Sequence, residues 1–256
     1  MDAWKNLGYG GNDGRAYRSL FGDAPVHPEA ALGSRALVAS LALFCGAATE
    51  AADGTVEGTV RVLTRGESGP TVPKADASGI VFYVTGFSQP PPPEKPRIAQ
   101  RNKTFIPDVL PIVVGQTVEF TNEDKLIHNV FSTSKARPFD LGKPRVGESR
   151  EIDFGRTGVV DIYCDIHEEM VATILVLPNR AFAVTGADGK FVLRSVPAGR
   201  YPLFAWSRRS EPVRVEVEVK PGEVTSVALE VTETKFDTKH LGKFGQAYRK
   251  QPIYPQ

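Results

Sequence analysis

The chain has 256 residues, of which 31 are basic and 30 are acidic, so its formal net charge is only +1. This balance gives no electrostatic reason to expect nucleic-acid binding or bulk attraction to a membrane surface. Short runs of Val, Ile and Phe, separated by 24 Gly and 20 Pro residues, indicate a mainly β protein. The length allows one large domain or two small ones with proper cores.

Residues 1–52 are predicted to be a signal peptide with an extended leader. Its apolar run, residues 36–48, contains Cys45 and is preceded by Arg35, as in a secretory signal. The alternative is a buried core segment. The run is too short for an ordinary transmembrane helix, so we expect no stable membrane insertion after signal removal and a periplasmic or secreted protein. Cys164 would then be the only cysteine of an exported chain, where a lone thiol calls for a partner or a metal.

Residues 55–88 contain two alternating apolar runs, 56–63 and 80–85, joined by a connection rich in Gly, Pro, Asp and Ser. Residues 89–96 include four consecutive prolines. Such a run forms extended polyproline and cannot join the interior of a sheet. We interpret residues 89–96 as a stiff linker that marks a boundary.

Residues 97–178 are predicted to form a β module of their own, with a size near the minimum for a Greek-key sandwich. Strands are expected at residues 97–102, 109–114, 116–121 and 150–154. Residues 132–149 form a long polar connection between them.

Two strand-like apolar runs flank a short loop that carries Cys164, His167 and Met170. A thiolate, an imidazole and a thioether are ligands that suit copper. A second imidazole is needed, and His128, at the end of another strand-like run, is the best candidate. Zinc is an alternative, although a thioether is a poor zinc ligand. A further alternative is that the cysteine and methionine are core residues and the histidines ordinary surface residues.

Residues 105–177 resemble the cupredoxins, the blue copper proteins, in the opening run FIPDVLPIVVGQTVEFTNED, the pair His128-Asn129 and the loop Cys164-x-x-His167-x-x-Met170. The loop spacing is the short form found in amicyanin. The resemblance implies a Greek-key β-sandwich that holds one type 1 copper. His128, Cys164 and His167 would be the trigonal ligands and Met170 the weak axial one. Asn129 would help to hold the cysteine loop by hydrogen bonds.

Residues 179–233 have an Asp188-Gly189 turn and two alternating runs that flank Pro221-Gly222, which predicts a hairpin. The block DGKFVLRSVPAGRYPL resembles carboxypeptidase regulatory-like (transthyretin-like) β-sandwich domains. Residues 55–88 resemble the first strands of such a domain. The resemblance therefore implies an all-β protein in which a cupredoxin β-sandwich is inserted into a discontinuous transthyretin-like β-sandwich, residues 55–88 and 179–233. A tandem of two domains is the alternative.

The tail, residues 234–256, is basic, aromatic and without clear periodicity. We expect it to pack as an extended arm or to be mobile, with His240 as a solvated residue.

The histidine count limits the chemistry. Apart from the two predicted ligands, only His27 and His240 remain, which is fewer than a multicopper oxidase or a two-centre nitrite reductase requires. No Ser/His/Asp set or carboxylate pair stands out. The chain is therefore predicted to be a periplasmic electron-transfer protein cycling Cu(I)/Cu(II) rather than an enzyme. The alternative is a copper-handling or surface-binding β-sandwich module in which the metal is stored or structural.

The cupredoxin resemblance implies that electrons leave through the edge of His167. Asp165, Glu168 and Glu169 flank this histidine, which predicts an acidic rim that steers a basic redox partner such as a c-type cytochrome. The same carboxylates are expected to favour protonated His167 when copper is reduced, because nearby negative charge stabilises an imidazolium.

Overall fold

The structure, a computed structural model, describes residues 52–66, 69–234 and 240–248. The predicted signal peptide and leader therefore lie outside the described residues, except for Ala52. All regular elements of the described residues are strands, which confirms the predicted all-β class. Within this part of the chain, no helix is long and apolar enough to span a lipid bilayer.

The strands of the described residues belong to four sheets. In chain order they are β1 (Gly54–Arg65), β2 (Thr71–Pro73), β3 (Val81–Val84), β4 (Arg97–Arg101), β5 (Thr104–Ile106), β6 (Val109–Val113), β7 (Thr117–Asn122), β8 (Val130–Ser132), β9 (Phe139–Asp140), β10 (Ser149–Asp153), β11 (Gly158–Cys164), β12 (Val171–Leu177), β13 (Phe182–Val184), β14 (Lys190–Val196), β15 (Gly199–Trp206), β16 (Val213–Val219) and β17 (Val224–Thr234).

Strands β4 to β12 form two of the sheets, with the orders β10-β7-β4-β5 and β6-β12-β11-β8-β9. We call them the middle unit. Strand β11 alternates between buried and half-buried residues, whereas every residue of β12 is buried. The difference arises because β12 is covered on both faces. Its residues Ile174 and Val176 join the core of the middle unit, while Leu175 and Leu177 pack outward against another sheet.

Strands β1 to β3 and β13 to β17 form the other two sheets, with the orders β14-β1-β17 and β13-β3-β15-β16; β2 pairs with β1 as the fourth strand of the first. We call them the outer unit. Strand β1 pairs in parallel with β17 from Thr55↔Val224 to Arg65↔Thr234. Strand β3 pairs with β13 and β15. Segments that lie before and after the middle unit in the sequence therefore share both sheets of the outer unit.

The predicted hairpin at Pro221-Gly222 is wrong. Strand β16 pairs with β15, and β17 pairs with β1, so the chain crosses from one sheet to the other at this turn. Val217 and Val219 of β16 and Val231 of β17 share one core across the two sheets. An alternating pattern shows which face of a strand is buried, but it does not show which strand lies beside it. Here β17 pairs in parallel with β1 along its whole length.

The proline run lies across the junction between the units. The Gln89 amide donates to the carbonyl of Pro178 at 3.0 Å, and Nε of Arg180 donates to the carbonyl of Pro90 at 3.0 Å. The connection into the middle unit is therefore held against the connection that leaves it.

An apolar cluster joins the units behind β12. Tyr83 and Phe204 of the outer unit stack with ring centroids 5.1 Å apart. Together with Val81 and Trp206 they pack on Leu175 and Leu177. Burial of large apolar side chains of this kind contributes on the order of 1.5–3 kcal/mol each. The outer unit thus supports the rear face of the strand that follows the predicted ligand loop.

A fragment of residues 179–234 is expected to remain unfolded or to aggregate, because it lacks β1 and β3, the central partners of β17 and β15. Thermal unfolding followed by circular dichroism should show no cooperative transition. Addition of a peptide of residues 52–88 should restore one. A cooperative transition of the 179–234 fragment alone would contradict the shared-sheet arrangement and favour a tandem.

Candidate metal site

The predicted ligands lie at one end of the middle unit, where three backbone segments meet. His128 comes two residues before β8, and β8 pairs with β11 in a register that sets Val130 opposite Cys164. The Cys164 amide donates to the carbonyl of Met170 at 3.3 Å, and the Met170 amide donates to the carbonyl of His167 at 3.2 Å. The loop between β11 and β12 is therefore a closed turn that begins and ends on predicted ligands.

Three of the four predicted ligands bring their donor atoms together. The Nδ1 atoms of His128 and His167 are 3.1 Å apart. Sγ of Cys164 lies 3.8 Å from Nδ1 of His128 and 3.7 Å from Nδ1 of His167. His128 and Cys164 are wholly buried, and His167 is half-buried. Met170 is wholly buried in the same core cluster as Cys164.

These three donor atoms fit a metal ion. The distances between them, 3.1 to 3.8 Å, are short enough for one ion to contact all three at bond lengths of about 2.0 Å to nitrogen and about 2.3 Å to sulfur, as proteins provide for zinc. His128, Cys164 and His167 can thus hold a metal.

Cys164 lies in an environment suited to a metal-bound thiolate. It is buried, and it has no disulfide partner among the described residues. Burial raises the pKa of the Cys164 thiol, while hydrogen bonds from the backbone amides of Asn129, Ile166 and His167 act in the opposite direction. Without a metal the thiol is protonated and unreactive at neutral pH. With a metal, the same amides are positioned to stabilise the thiolate.

Asp124 orients His128. Its Oδ2 atom lies 3.2 Å from Nε2 of His128 and accepts a hydrogen bond from the backbone amide of Lys103 at 2.8 Å. When Nε2 of His128 carries the proton and donates a hydrogen bond to Asp124, Nδ1 is unprotonated. Its lone pair then points toward Nδ1 of His167 and Sγ of Cys164. The pKa of His128 is lowered, because burial outweighs the favourable contacts with Asp124.

The prediction that the loop carboxylates favour protonated His167 when copper is reduced stays a prediction. Without a metal, the pKa of His167 is lowered by burial and by its electrostatic interactions with His128 and Lys103, against which Glu169 and Asp124 act only in part. The three residues predicted to form the rim also differ from one another. Asp165 directs Oδ1 at the C-terminal segment, whereas Glu168 is half-buried and Glu169 is exposed.

Asn129 joins two loops next to the site. Its carbonyl accepts a hydrogen bond from the Asp165 amide at 2.9 Å. Its side-chain Nδ2 donates to Oδ1 of Asp140 at 2.6 Å and to the carbonyl of Gly142 at 2.7 Å. The contact to the cysteine loop is thus made by the backbone of Asn129, and its side chain holds the loop after β9.

Sequence reasoning did not identify Asp124, and it placed His240 in solvent. Asp124 lies four residues before His128, and a carboxylate so close to a predicted metal-binding histidine was a usable signal. The prediction for His240 is wrong: the residue is only 9% exposed and its ring stacks on Tyr163. No periodicity in the tail indicates this contact.

Comparison with protein-family models and with curated proteins gives no match. Among solved structures, a purple cupredoxin from Nitrosopumilus maritimus is 26% identical over 32% of this chain and 99% of its own, with a TM-score of 0.30. A copper-containing nitrite reductase from Thermus scotoductus SA-01 is 31% identical over 33% of this chain and 23% of its own, with a TM-score of 0.32. A mutant of amicyanin in the Cu(I) form is 17% identical over 37% of this chain and 97% of its own, with a TM-score of 0.31.

Replacement of Asp124 by asparagine should lower the pKa of His128 further, because the carboxylate contact is the main influence that raises it. The substitution keeps the shape of the side chain. An NMR titration of the metal-free protein should therefore place the midpoint for the His128 ring below that of the unsubstituted chain. Asp188→Asn, on the exposed turn before β14, is the control. An unchanged or higher midpoint in Asp124→Asn would contradict the assigned contact.

Proposed function

We propose that the protein is an electron carrier with one type 1 copper held by His128, Cys164 and His167, with Met170 as the weak axial ligand. The observation that carries the proposal is the triangle of one Sγ and two Nδ1 atoms with edges of 3.1, 3.7 and 3.8 Å. A thiolate with two imidazoles and a thioether is the donor set that suits copper in electron-transfer sites. The likeness of the ligand loop to that of cupredoxins supports the same assignment.

Copper, when bound, supplies a one-electron couple between Cu(I) and Cu(II). The chain supplies donors at the ends of the paired strands β8, β11 and β12, which leaves little freedom for rearrangement when the charge of the centre changes. Buried His128 and Cys164 exclude water from two of the donors. His167 is only half-buried, so it is the ligand through which an electron would pass to a partner. Leu126 and Ile127, which precede His128, are 41% and 57% exposed and add apolar surface.

A carrier, rather than an enzyme, is proposed because the described donors account for one metal centre only. Among the described residues, the group of His128, Cys164 and His167 is the one cluster of three metal-ligating side chains.

We further propose that the protein is exported to the periplasm or secreted. We also propose that residues 55–88 and 179–233 form a transthyretin-like sandwich around the copper-binding unit.

Replacement of Cys164 by serine should abolish the intense visible band of the copper-loaded protein, since a hydroxyl cannot supply thiolate-to-copper charge transfer. The visible spectrum and cyclic voltammetry are the measurements. A band and reversible redox chemistry that both survive the substitution would rule out Cys164 as a ligand. A chain without substitutions that binds copper but shows no such band would favour copper storage over electron transfer.

Replacement of Met170 by leucine should keep the band and shift the reduction potential, because the axial ligand tunes the couple without providing the colour. Leucine has a similar volume, so the core around Cys164 should remain packed. Loss of the band in Met170→Leu, or a potential equal to that of the unsubstituted chain, would contradict a weak axial role.

An acidic rim at the loop is proposed as the docking surface for a basic redox partner such as a c-type cytochrome. Glu168→Gln with Glu169→Gln should slow association several-fold at low salt and leave the copper spectrum unchanged, because exposed charges act mainly on the association rate. Asp165 is left intact, since its carboxylate is occupied by the C-terminal segment.

Stopped-flow electron transfer to cytochrome c at several salt concentrations is the measurement. Glu216→Gln with Glu218→Gln, on β16 of the outer unit, is the charge-matched control. Lys103 lies near His167 and opposes the rim charge. Rates that depend neither on the substitutions nor on salt would reject the rim while leaving the copper site in place.

A further inference from the structure

Residues 240–248, which we call the arm, lie against the candidate metal site. They follow β17 of the outer unit in the sequence but contact the ligand-bearing end of the middle unit. The ring of His240 stacks on that of Tyr163, with centroids 4.4 Å apart and an interplanar angle of 29°. Tyr163 is the residue before Cys164. The arm therefore reaches the backbone of the predicted cysteine ligand.

Two side chains of the arm converge on the Cys164 carbonyl. The Tyr248 hydroxyl donates to this oxygen at 2.5 Å, and Nε2 of His240 lies 3.3 Å from it. The same hydroxyl is 2.8 Å from Nε2 of His240. A carbonyl only accepts, so the hydroxyl proton points at Cys164, and a proton on Nε2 can be donated to either oxygen. The carbonyl oxygen is thus held by a short chain of donors.

The arm has a second attachment on the next residue. Oδ1 of Asp165 accepts hydrogen bonds from the Lys243 amide at 2.9 Å and from Nε2 of Gln246 at 3.2 Å. Nζ of Lys243 pairs with Oδ2 of Asp140 at 2.6 Å. Asp140 in turn accepts from the side chain of Asn129, next to His128. The arm is therefore linked to both segments that carry predicted ligands.

We propose that the arm positions the ligand loop and that Tyr248 is the positioning residue for Cys164. The inference rests on the copper site proposed above for its redox consequences, but its structural part stands on the metal-free protein. The hydroxyl and imidazole direct the positive ends of their N–H and O–H dipoles at the residue whose sulfur would bind the metal. The positive ends of nearby dipoles favour the electron-richer, reduced form of a centre, as hydrogen bonding around a ligating cysteine tunes its potential. Loss of the donors should loosen the loop and lower the reduction potential.

The first test is Tyr248→Phe in the full chain, which removes the hydroxyl and keeps the ring. In the metal-free protein, hydrogen exchange of the amides of residues 164–170 should become about two- to tenfold faster, as expected for the loss of one ordinary hydrogen bond. In the copper-loaded protein, the reduction potential should fall and the thiolate band should shift. Tyr201→Phe, a half-buried tyrosine of β15 that packs on Phe87, is the matched control.

Two further variants keep the inference falsifiable. His240→Phe preserves a ring for stacking on Tyr163 but removes the nitrogen donor, and should give changes in the same direction. A chain that ends at Thr234 lacks all attachments of the arm and should give the largest changes. Since β17 ends at Thr234, the ladder with β1 is retained in this chain.

The outcomes separate the arm from the copper site. Faster exchange confined to the ligand loop supports the positioning role. Exchange in Tyr248→Phe equal to that in Tyr201→Phe overturns it, and so does an increase spread equally over the strands of the outer unit. If the unsubstituted protein shows no thiolate band, the proposed function fails, but the exchange comparison in the metal-free protein still decides the role of the arm.

Discussion

The register between β8 and β11 is the constraint on which the candidate site depends. It sets Cys164 opposite Val130 and thereby places His128, two residues earlier, beside the thiol. Cys164 shares its face of β11 with Val160 and Ile162, all in one apolar cluster. A slip by one residue would turn this entire face outward and expose two buried aliphatic side chains. The core thus fixes the direction of the sulfur before any metal is present.

The outer unit reinforces this constraint from behind. Because β12 carries apolar side chains on both faces, it is held between the core of the middle unit and the cluster around Tyr83 and Phe204. Both connections between the units also lie together at the proline run. The ligand loop is therefore anchored on a strand that cannot shift without disturbing two cores. Such rigidity is what a centre needs if its donors are to stay in place when the charge changes.

Much of this arrangement was predictable because it depends on periodicity and residue type. Alternating or apolar runs located β1, β3, β11, β12, β16 and β17, and the rare combination of Cys164, His167 and Met170 between two apolar runs located the ligand loop. The neighbour of β17 was not predictable, since alternation carries no information on partners. The contacts of His240 and Tyr248 were not predictable either. They are single side-chain contacts from a segment without a pattern, and only the folded chain brings them to Cys164.

The electrostatics of the pocket favour the forms of the ligands that a metal requires. Two Nδ1 atoms only 3.1 Å apart cannot both carry protons without strong repulsion, and burial lowers the pKa of both imidazoles. Both rings are therefore neutral at pH 7, with Asp124 fixing the tautomer of His128. Cys164 is the ligand that must lose a proton to bind a metal. Burial raises the pKa of its thiol, so this loss is disfavoured. Direct bonding to a metal would offset that cost, and the backbone amides around Sγ would then stabilise a thiolate charge that burial alone disfavours.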